Sequence, residues 1–351
     1  MGHSRGGMDV LECAKSLPDG MQLAGAVCVA PATYKEWEIP FPNVPVGIII
    51  PQMDGDVISL DGSDIYEDLI ADTQYTSTAE LICLKNANHA YFNTQLTQPD
   101  LNHEEANLAK LMPAQQQRDF LAGYLTDFVK SAVTTGQSVF ASASPLESSA
   151  YGCDVLLRVH SGTAKMLYTA ESDDLLTCAG SAAATREIAS YLPDQNTVET
   201  FKLPDGSSLG RYDLQRIVWS GTDSHVTIPA AGDITVCRFL DIDMALDSTD
   251  SQNSGGQPLT LLLTDADGKT AQSAIDPSAA ALLWQEGELT EKTGWDGNPT
   301  QEYSTFTPLV TMRLDLSKLD SIDLSRLANL QMSFGSSGGD SMMLRSISAA
   351  A

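Results

Sequence analysis

A glycine-flanked serine lies at the start of the chain, in the stretch Gly2-His3-Ser4-Arg5-Gly6-Gly7. The stretch matches the pattern G-x-S-x-G, in which glycines allow a tight strand-to-helix turn that exposes the serine hydroxyl. A serine held in this way attacks acyl carbons when a histidine takes its proton and a carboxylate orients that histidine. By itself the match is weak, because short glycine and serine strings also occur in disordered N-termini.

Candidates for the carboxylate and the histidine follow in the order that such a triad requires. The apolar segment VPVGIIIP precedes the loop QMDGDV, and the segment TAELICL precedes the loop KNANHAYFN. If both segments are parallel strands, an aspartate and His89 reach the same edge of the sheet. We prefer Asp54, directly after its strand, over Asp56, which lies deeper in the loop. The same aspartate-rich loop is alternatively a solvated turn or a calcium site.

Alternating helix and strand patterns predict the elements that position these residues. MDVLECAKSL, GSDIYEDLIADT and QQQRDFLAGYLTDFVKSAV have apolar residues at helical spacing, and AGAVCVAPA is a strand-like run beside the two segments above. Such alternation is typical of a parallel α/β sheet, whose strands are continuously apolar when helices cover both faces.

A change in composition after residue 137 predicts a second domain. Residues 138–150 are small and polar, as in a linker. From 151 to 351, short strand-like runs alternate with turns rich in Gly, Ser, Asp and Asn. We therefore predict an α/β domain with a parallel sheet at residues 1–137 and an all-β sandwich, similar to a jelly roll, at residues 151–351.

Residues 1–137 resemble the C-terminal half of an α/β-hydrolase-fold serine esterase or lipase. The resemblance rests on the GHSRGG elbow, the DGDV loop and the NHAYFN loop, and the elbow is similar to those of chlorophyllases, polyester hydrolases and dienelactone hydrolases. It implies Ser4 as nucleophile, His89 as general base and Asp54 as the orienting acid, with Asp56 as the alternative acid.

The resemblance starts at the nucleophile elbow and so covers only part of a catalytic domain. It implies that the backbone N–H of Arg5 is one oxyanion donor, whereas the family's second donor comes from a loop after an earlier strand. We therefore expect a carboxylic-ester hydrolase that is N-terminally truncated and weakly active or inactive as written. The mechanism requires no cofactor and no metal, and the expected substrate is a small or polymeric ester.

In its pattern of short strand-like runs and polar turns, the second domain is similar to the galactose-binding-like jelly rolls that are attached to secreted hydrolases. This resemblance implies carbohydrate binding, with Trp219, Trp284, Trp295 and Tyr303 as a stacking platform, unless these rings belong to the core. The alternative function is therefore a non-catalytic carbohydrate-binding or surface-interaction protein with a remnant hydrolase segment. We expect a secreted or cell-surface bacterial protein, with the cytoplasm as the alternative.

Charge and cysteine content narrow the classes of partner. Twenty Lys and Arg against 46 Asp and Glu give a net charge of −26, which argues against nucleic acid. No apolar run is long enough to span a membrane.

The six cysteines lack metal-ligand spacing, although Cys153 and Cys178 are candidates for a disulfide. Asp241, Asp265 and Asp267 are candidates for a calcium site, whereas TDADGK is equally a hairpin turn.

Overall fold

The chain forms two compact units in which strands outnumber helices. The computed structural model describes residues 1–33, 41–57, 60–100, 108–172, 176–189, 212–247, 250–284, 288–293, 299–305, 309–319, 321–335 and 340–351. Within these ranges there are nineteen strands and three α-helices. The first unit comprises residues 1–143, 147–162 and 288–305, and the second comprises 144–146, 163–287 and 306–351.

The first unit is built on a six-stranded mixed sheet. Its strands are β1 (Gly2–His3), β2 (Ala26–Val29), β3 (Val46–Pro51), β4 (Thr78–Leu84), β5 (Ser149–Ala150) and β6 (Cys153–Ser161), in the order β1-β2-β3-β4-β6-β5. Strands β1 to β4 pair in parallel, whereas β6 pairs antiparallel with β4 and with β5. Strands β2, β3 and β4 lie in the segments where the sequence predicts strands, and every one of their residues is buried.

Three helices, α1 (Arg5–Ala14), α2 (Gly62–Ala71) and α3 (Ala114–Thr134), belong to this unit. Helix α1 follows β1 directly and buries Met8 and Leu11. Helix α3 buries Phe120, Tyr124 and Phe128, which repeat every four residues along one face of the helix. These rings form a cluster with buried residues of β2, β3, β4 and β6, so the helix covers one face of the sheet.

Strand β6 differs from the sequence prediction, which assigned residues 151–351 to the sandwich. Its backbone pairs with β4 over the whole length of that strand, from Ser161 opposite Thr78 to Val155 opposite Leu84. A buried apolar run has the same pattern in either sheet, so periodicity does not distinguish the two placements. The hairpin of β15 (Glu288–Thr293) and β16 (Pro299–Thr305) is also grouped with the first unit.

The second unit is a β-sandwich, as the sequence predicts. Its strands are β7 (Lys165–Thr169), β8 (Thr177–Ala179), β9 (Ala183–Ala189), β10 (Tyr212–Trp219), β11 (His225–Gly232), β12 (Phe239–Leu246), β13 (Leu259–Asp265), β14 (Thr270–Ile275), β17 (Val310–Asp315), β18 (Leu327–Phe334) and β19 (Asp340–Ala350). One antiparallel sheet has the order β17-β12-β19-β10-β9, with β7 also paired to β19, and the other has the order β14-β13-β18-β11-β8. Trp219 of the first sheet stacks on Phe334 of the second, with ring centroids 4.1 Å apart.

Two candidates that the sequence raised, a disulfide and a calcium site, are not found in the described part of the chain. All six cysteines are free, so Cys153 and Cys178 form no disulfide. Within the described ranges, no group of three or more His, Cys, Asp or Glu side chains is arranged to hold a metal ion. Asp265 instead accepts backbone hydrogen bonds from Asp267 and Lys269, both at 2.9 Å, so TDADGK is a turn.

No helix of the described part of the chain is long and apolar enough to cross a membrane.

A buried ion pair connects β6 to helix α2. Arg158 has no exposed surface, and its guanidinium binds the carboxylate of Glu67, which is 5% exposed. The guanidinium also lies 4.7 Å from the ring centroid of Tyr66. Because both charges are removed from water, the loss of one partner leaves the other uncompensated.

We expect Arg158→Met to lower the free energy of unfolding by about 3 kcal/mol, because Glu67 is left charged and buried. Urea unfolding followed by circular dichroism measures the change. The double variant Arg158→Met, Glu67→Gln should recover part of the loss. Lys15→Met, which breaks the solvent-accessible pair with Glu12, should cost less than about 1 kcal/mol. Equal stability of Arg158→Met and the unmodified protein would contradict this account.

Candidate active site

Ser4 occupies a strained turn between β1 and α1. Its φ of 57° and ψ of −129° are unfavourable for a residue with a side chain. The Ser4 N–H donates to Val29 O at 3.0 Å, and the Ser4 carbonyl accepts from Gly7 N at 2.8 Å and from Ala32 N at 3.1 Å. The short strand β1 and these hydrogen bonds hold the turn, and the serine side chain is partly exposed.

Two glycines of the turn are required by close packing. A Cβ atom on Gly2 would lie 1.7 Å from the carbonyl oxygen of Gly6, and one on Gly7 would lie 2.6 Å from Cβ of Pro31. Both distances are far below contact, so neither position accepts a side chain without movement of the backbone. Close packing therefore explains why glycine is required at positions 2 and 7 of this chain.

His89 and Asp54 are brought together by the loops that follow β4 and β3. His89 Nδ1 lies 3.0 Å from Asp54 Oδ2, and both residues are buried. Asp54 Oδ1 accepts from the N–H groups of Asp56 at 3.0 Å and Val57 at 2.7 Å, which orients the carboxylate. The Asp54 carboxylate is thus aimed at Nδ1, and an acid at Nδ1 orients the imidazole of a Ser-His-Asp triad.

The alternative acid, Asp56, approaches the other ring nitrogen. Its Oδ2 lies 3.4 Å from His89 Nε2, and its side chain is 67% exposed. In a triad Nε2 faces the nucleophile, so the orienting role fits Asp54 better than Asp56.

His3 connects the serine turn to the histidine loop. Its Nε2 lies 3.1 Å from the carbonyl oxygen of His89, and the two imidazole rings are 4.7 Å apart between centroids. Because His3 precedes Ser4 directly, this contact places the turn beside the histidine loop.

The pKa values of the two imidazoles are shifted in opposite directions. Burial by itself lowers the pKa of His89, but the hydrogen bond and charge of Asp54, together with the charges of Asp56 and Asp100, raise it above its ordinary value. Burial and the neighbouring His89 lower the pKa of His3. His89 is therefore the better proton acceptor of the pair.

Arg5 is the first residue of helix α1 and is exposed. The first backbone N–H groups of a helix have no acceptor within the helix, and the helix dipole favours negative charge there. The position suits the oxyanion donor that the resemblance implies.

Two further residues, which the sequence patterns did not single out, support the site. Asp100 accepts hydrogen bonds from the backbone of both loops of the site. Gln117 of helix α3 accepts from Asn88 N at 3.2 Å and donates to Asn88 O at 2.7 Å. Gln117 is fully buried, and its helical spacing from Phe120 would have indicated this. Asp100 lies in a loop, where no periodicity marks it.

The structure describes the side chains of two of the four aromatic residues suggested as a sugar platform, Trp219 and Trp284. Trp219 is buried in the sandwich core against Phe334. The indole N–H of Trp284, which is partly exposed, donates to Asp247 O at 3.0 Å. Trp295 lies outside the described residues, and the structure describes only the backbone at Tyr303.

Comparisons with known proteins find distant structural similarity to carbohydrate-binding modules and agarases, and they give no support to the α/β-hydrolase assignment. No family model and no curated protein matches the chain. A family 11 carbohydrate-binding module from Clostridium thermocellum, in complex with a β-1,3-1,4-mixed-linked tetrasaccharide, is 10% identical, with 53% of this chain and 95% of that chain covered and a TM-score of 0.30. An exo-β-agarase is 13% identical over 52% of this chain and 24% of that chain, with a TM-score of 0.30. A xylan-binding domain from Paenibacillus barcinonensis is 6% identical over 53% and 94%, with a TM-score of 0.28.

Histidine NMR titration checks the electrostatics of the site. We expect the pKa of His89 to lie above the ordinary value of a histidine, and Asp54→Asn to lower it, because the neutral amide favours the imidazolium less than the carboxylate does. The higher folded-state pKa means that protonation of His89 stabilises the fold below the unfolded pKa, and this contribution is lost as the pH rises through the folded value. Asp19→Asn, at an exposed loop position, is the control. An unchanged His89 titration in Asp54→Asn would contradict the assignment.

Proposed function

We propose that the first unit is a serine-dependent carboxylic-ester hydrolase. The observation that carries the proposal is the buried hydrogen bond from His89 Nδ1 to Asp54 Oδ2 at 3.0 Å. The strained backbone of Ser4, at the start of a helix and next to a residue in contact with His89, supports the same function. A buried imidazole held by a carboxylate is an arrangement suited to proton transfer.

The proposed mechanism is acyl transfer to Ser4. Its Oγ attacks the ester carbonyl carbon while His89 Nε2 takes the hydroxyl proton, and Asp54 stabilises the imidazolium. The backbone N–H of Arg5 donates to the oxyanion of the tetrahedral intermediate. His89 then returns the proton to the leaving alkoxide, which departs as an alcohol. Water, deprotonated by the same imidazole, then attacks the acyl carbon of the acyl-enzyme. The bond to Ser4 Oγ breaks, His89 returns the proton to Oγ, and the carboxylic acid leaves.

Covalent labelling with a fluorophosphonate tests the nucleophile. We expect the reagent to modify Ser4, identified by mass spectrometry of the peptide, because in the proposed mechanism His89 activates this hydroxyl. Ser4→Ala should abolish the label, and His89→Ala should slow labelling about 100-fold or more.

Ser16→Ala is the matched control, since Ser16 is an exposed serine after the same helix. It should be labelled as the unmodified protein is. Label on Ser16 or elsewhere, with none on Ser4, would refute the proposed nucleophile.

Carbohydrate binding by the sandwich is the second candidate function, and the comparisons favour this alternative over the hydrolase. The similar solved structures include a module with a bound tetrasaccharide and a xylan-binding domain. Their low similarity transfers no ligand to this chain, so the candidate depends on its own test. A secreted or cell-surface location stays an expectation under either function.

Affinity electrophoresis in gels that contain mixed-linkage β-glucan, xylan or agarose tests this candidate. Binding would retard the protein in one of the gels, and Trp284→Ala would remove the retardation if this partly exposed indole stacks on a sugar. Val236→Ala, at a residue that is 84% exposed, is the control and should migrate as the unmodified protein does. Equal mobility with and without all three polysaccharides would count against binding of these sugars.

A further inference from the structure

Asp100 accepts three backbone hydrogen bonds that join the two loops of the candidate active site. Its Oδ2 accepts from Gly55 N at 2.9 Å and from His89 N at 2.8 Å, and its Oδ1 accepts from Ala90 N at 2.8 Å. Gly55 follows Asp54 directly in the sequence. A single carboxylate therefore holds the chain next to the orienting acid and the backbone of the histidine itself.

The two loops belong to different strands, so their separation is not set by local chain geometry. The loop after β3 carries Asp54, and the loop after β4 carries His89. A hydrogen bond of 3.0 Å between their side chains tolerates little displacement of one loop against the other. Hydrogen bonds to an ionised carboxylate are stronger than neutral ones, which makes Asp100 an effective clamp.

We propose that Asp100 is a positioning residue for the pair of His89 and Asp54, and that it fixes the distance between their loops. It acts through the backbone and is assigned no contact with the substrate. The proposal rests on the proposed hydrolase function, because the positioned pair serves proton transfer from Ser4. The charge of Asp100 also contributes to the raised pKa of His89.

Asp100→Asn tests the proposal, because the amide keeps the size of the side chain but replaces one acceptor by a donor. We expect the maximal rate of fluorophosphonate labelling at Ser4 to fall about 10- to 100-fold. The reagent concentration at half-maximal rate should stay within about twofold, since no binding contact is removed. In parallel, NMR should show the proton on His89 Nδ1 shifted or lost through exchange with water.

Asp72→Asn is the matched control. Asp72 is a buried carboxylate that accepts from Phe41 N at 3.1 Å and from Gln74 N at 2.9 Å, and it lies at the end of helix α2. Its loss should leave the labelling rate and the His89 proton unchanged. If Asp100→Asn does not fold, Asp100→Glu replaces it, because the longer side chain keeps the charge and alters the distance between the loops.

The outcomes separate this proposal from the hydrolase function. An unchanged labelling rate and an unchanged His89 proton in Asp100→Asn would overturn the positioning role, and so would equal losses in Asp72→Asn. If Ser4 of the unmodified protein never reacts, the hydrolase proposal fails, and the NMR measurement decides alone. In that case a changed His89 proton in Asp100→Asn supports the positioning role, and an unchanged one overturns it.

Discussion

The parallel register between β3 and β4 is the constraint on which the candidate site depends. Pro51, at the end of β3, lies opposite Leu84, at the end of β4, so the two following loops leave the sheet at the same level. Asp54 and His89 therefore lie close enough for their side chains to form a hydrogen bond. A shift of the register by one residue would turn the following side chains to the opposite face and separate the pair.

Aspartate carboxylates that accept backbone N–H groups recur in both units. Asp54, Asp72 and Asp100 hold loops of the first unit in this way, and Asp265 and Asp323 hold turns of the second. Such hydrogen bonds satisfy backbone N–H groups in loops, which lack the backbone partners that paired β-strands provide. Part of the large acidic content therefore serves to hold loops and turns.

Aromatic residues contribute to the interior of both units. In the first unit, the hydroxyl of Tyr124 donates to Glu80 at 2.6 Å, and burial raises the pKa of that carboxyl. In the second, Trp219 and Phe334 join the two sheets. Trp219 thus belongs to the core, the alternative that the sequence left open for it, because burial of a large ring is favoured by the hydrophobic effect.

Local pattern was sufficient for much of this protein. Apolar runs and helical spacing predicted β2, β3, β4, α1, α2 and α3 and the strand-rich second half. The order of Ser4, Asp54 and His89 singled out the residues of the candidate site. Long-range packing decided the rest: the pairing of β6 with β4, the two-residue strand β1 at the serine turn, and the nitrogen of His89 that each aspartate faces. The contacts of Asp100 with the two loops of the site were likewise decided by long-range packing. Periodicity records which side of an element is buried, whereas the partner of a strand edge or of a loop carboxylate depends on residues far away in the sequence, which meet only when the chain is folded.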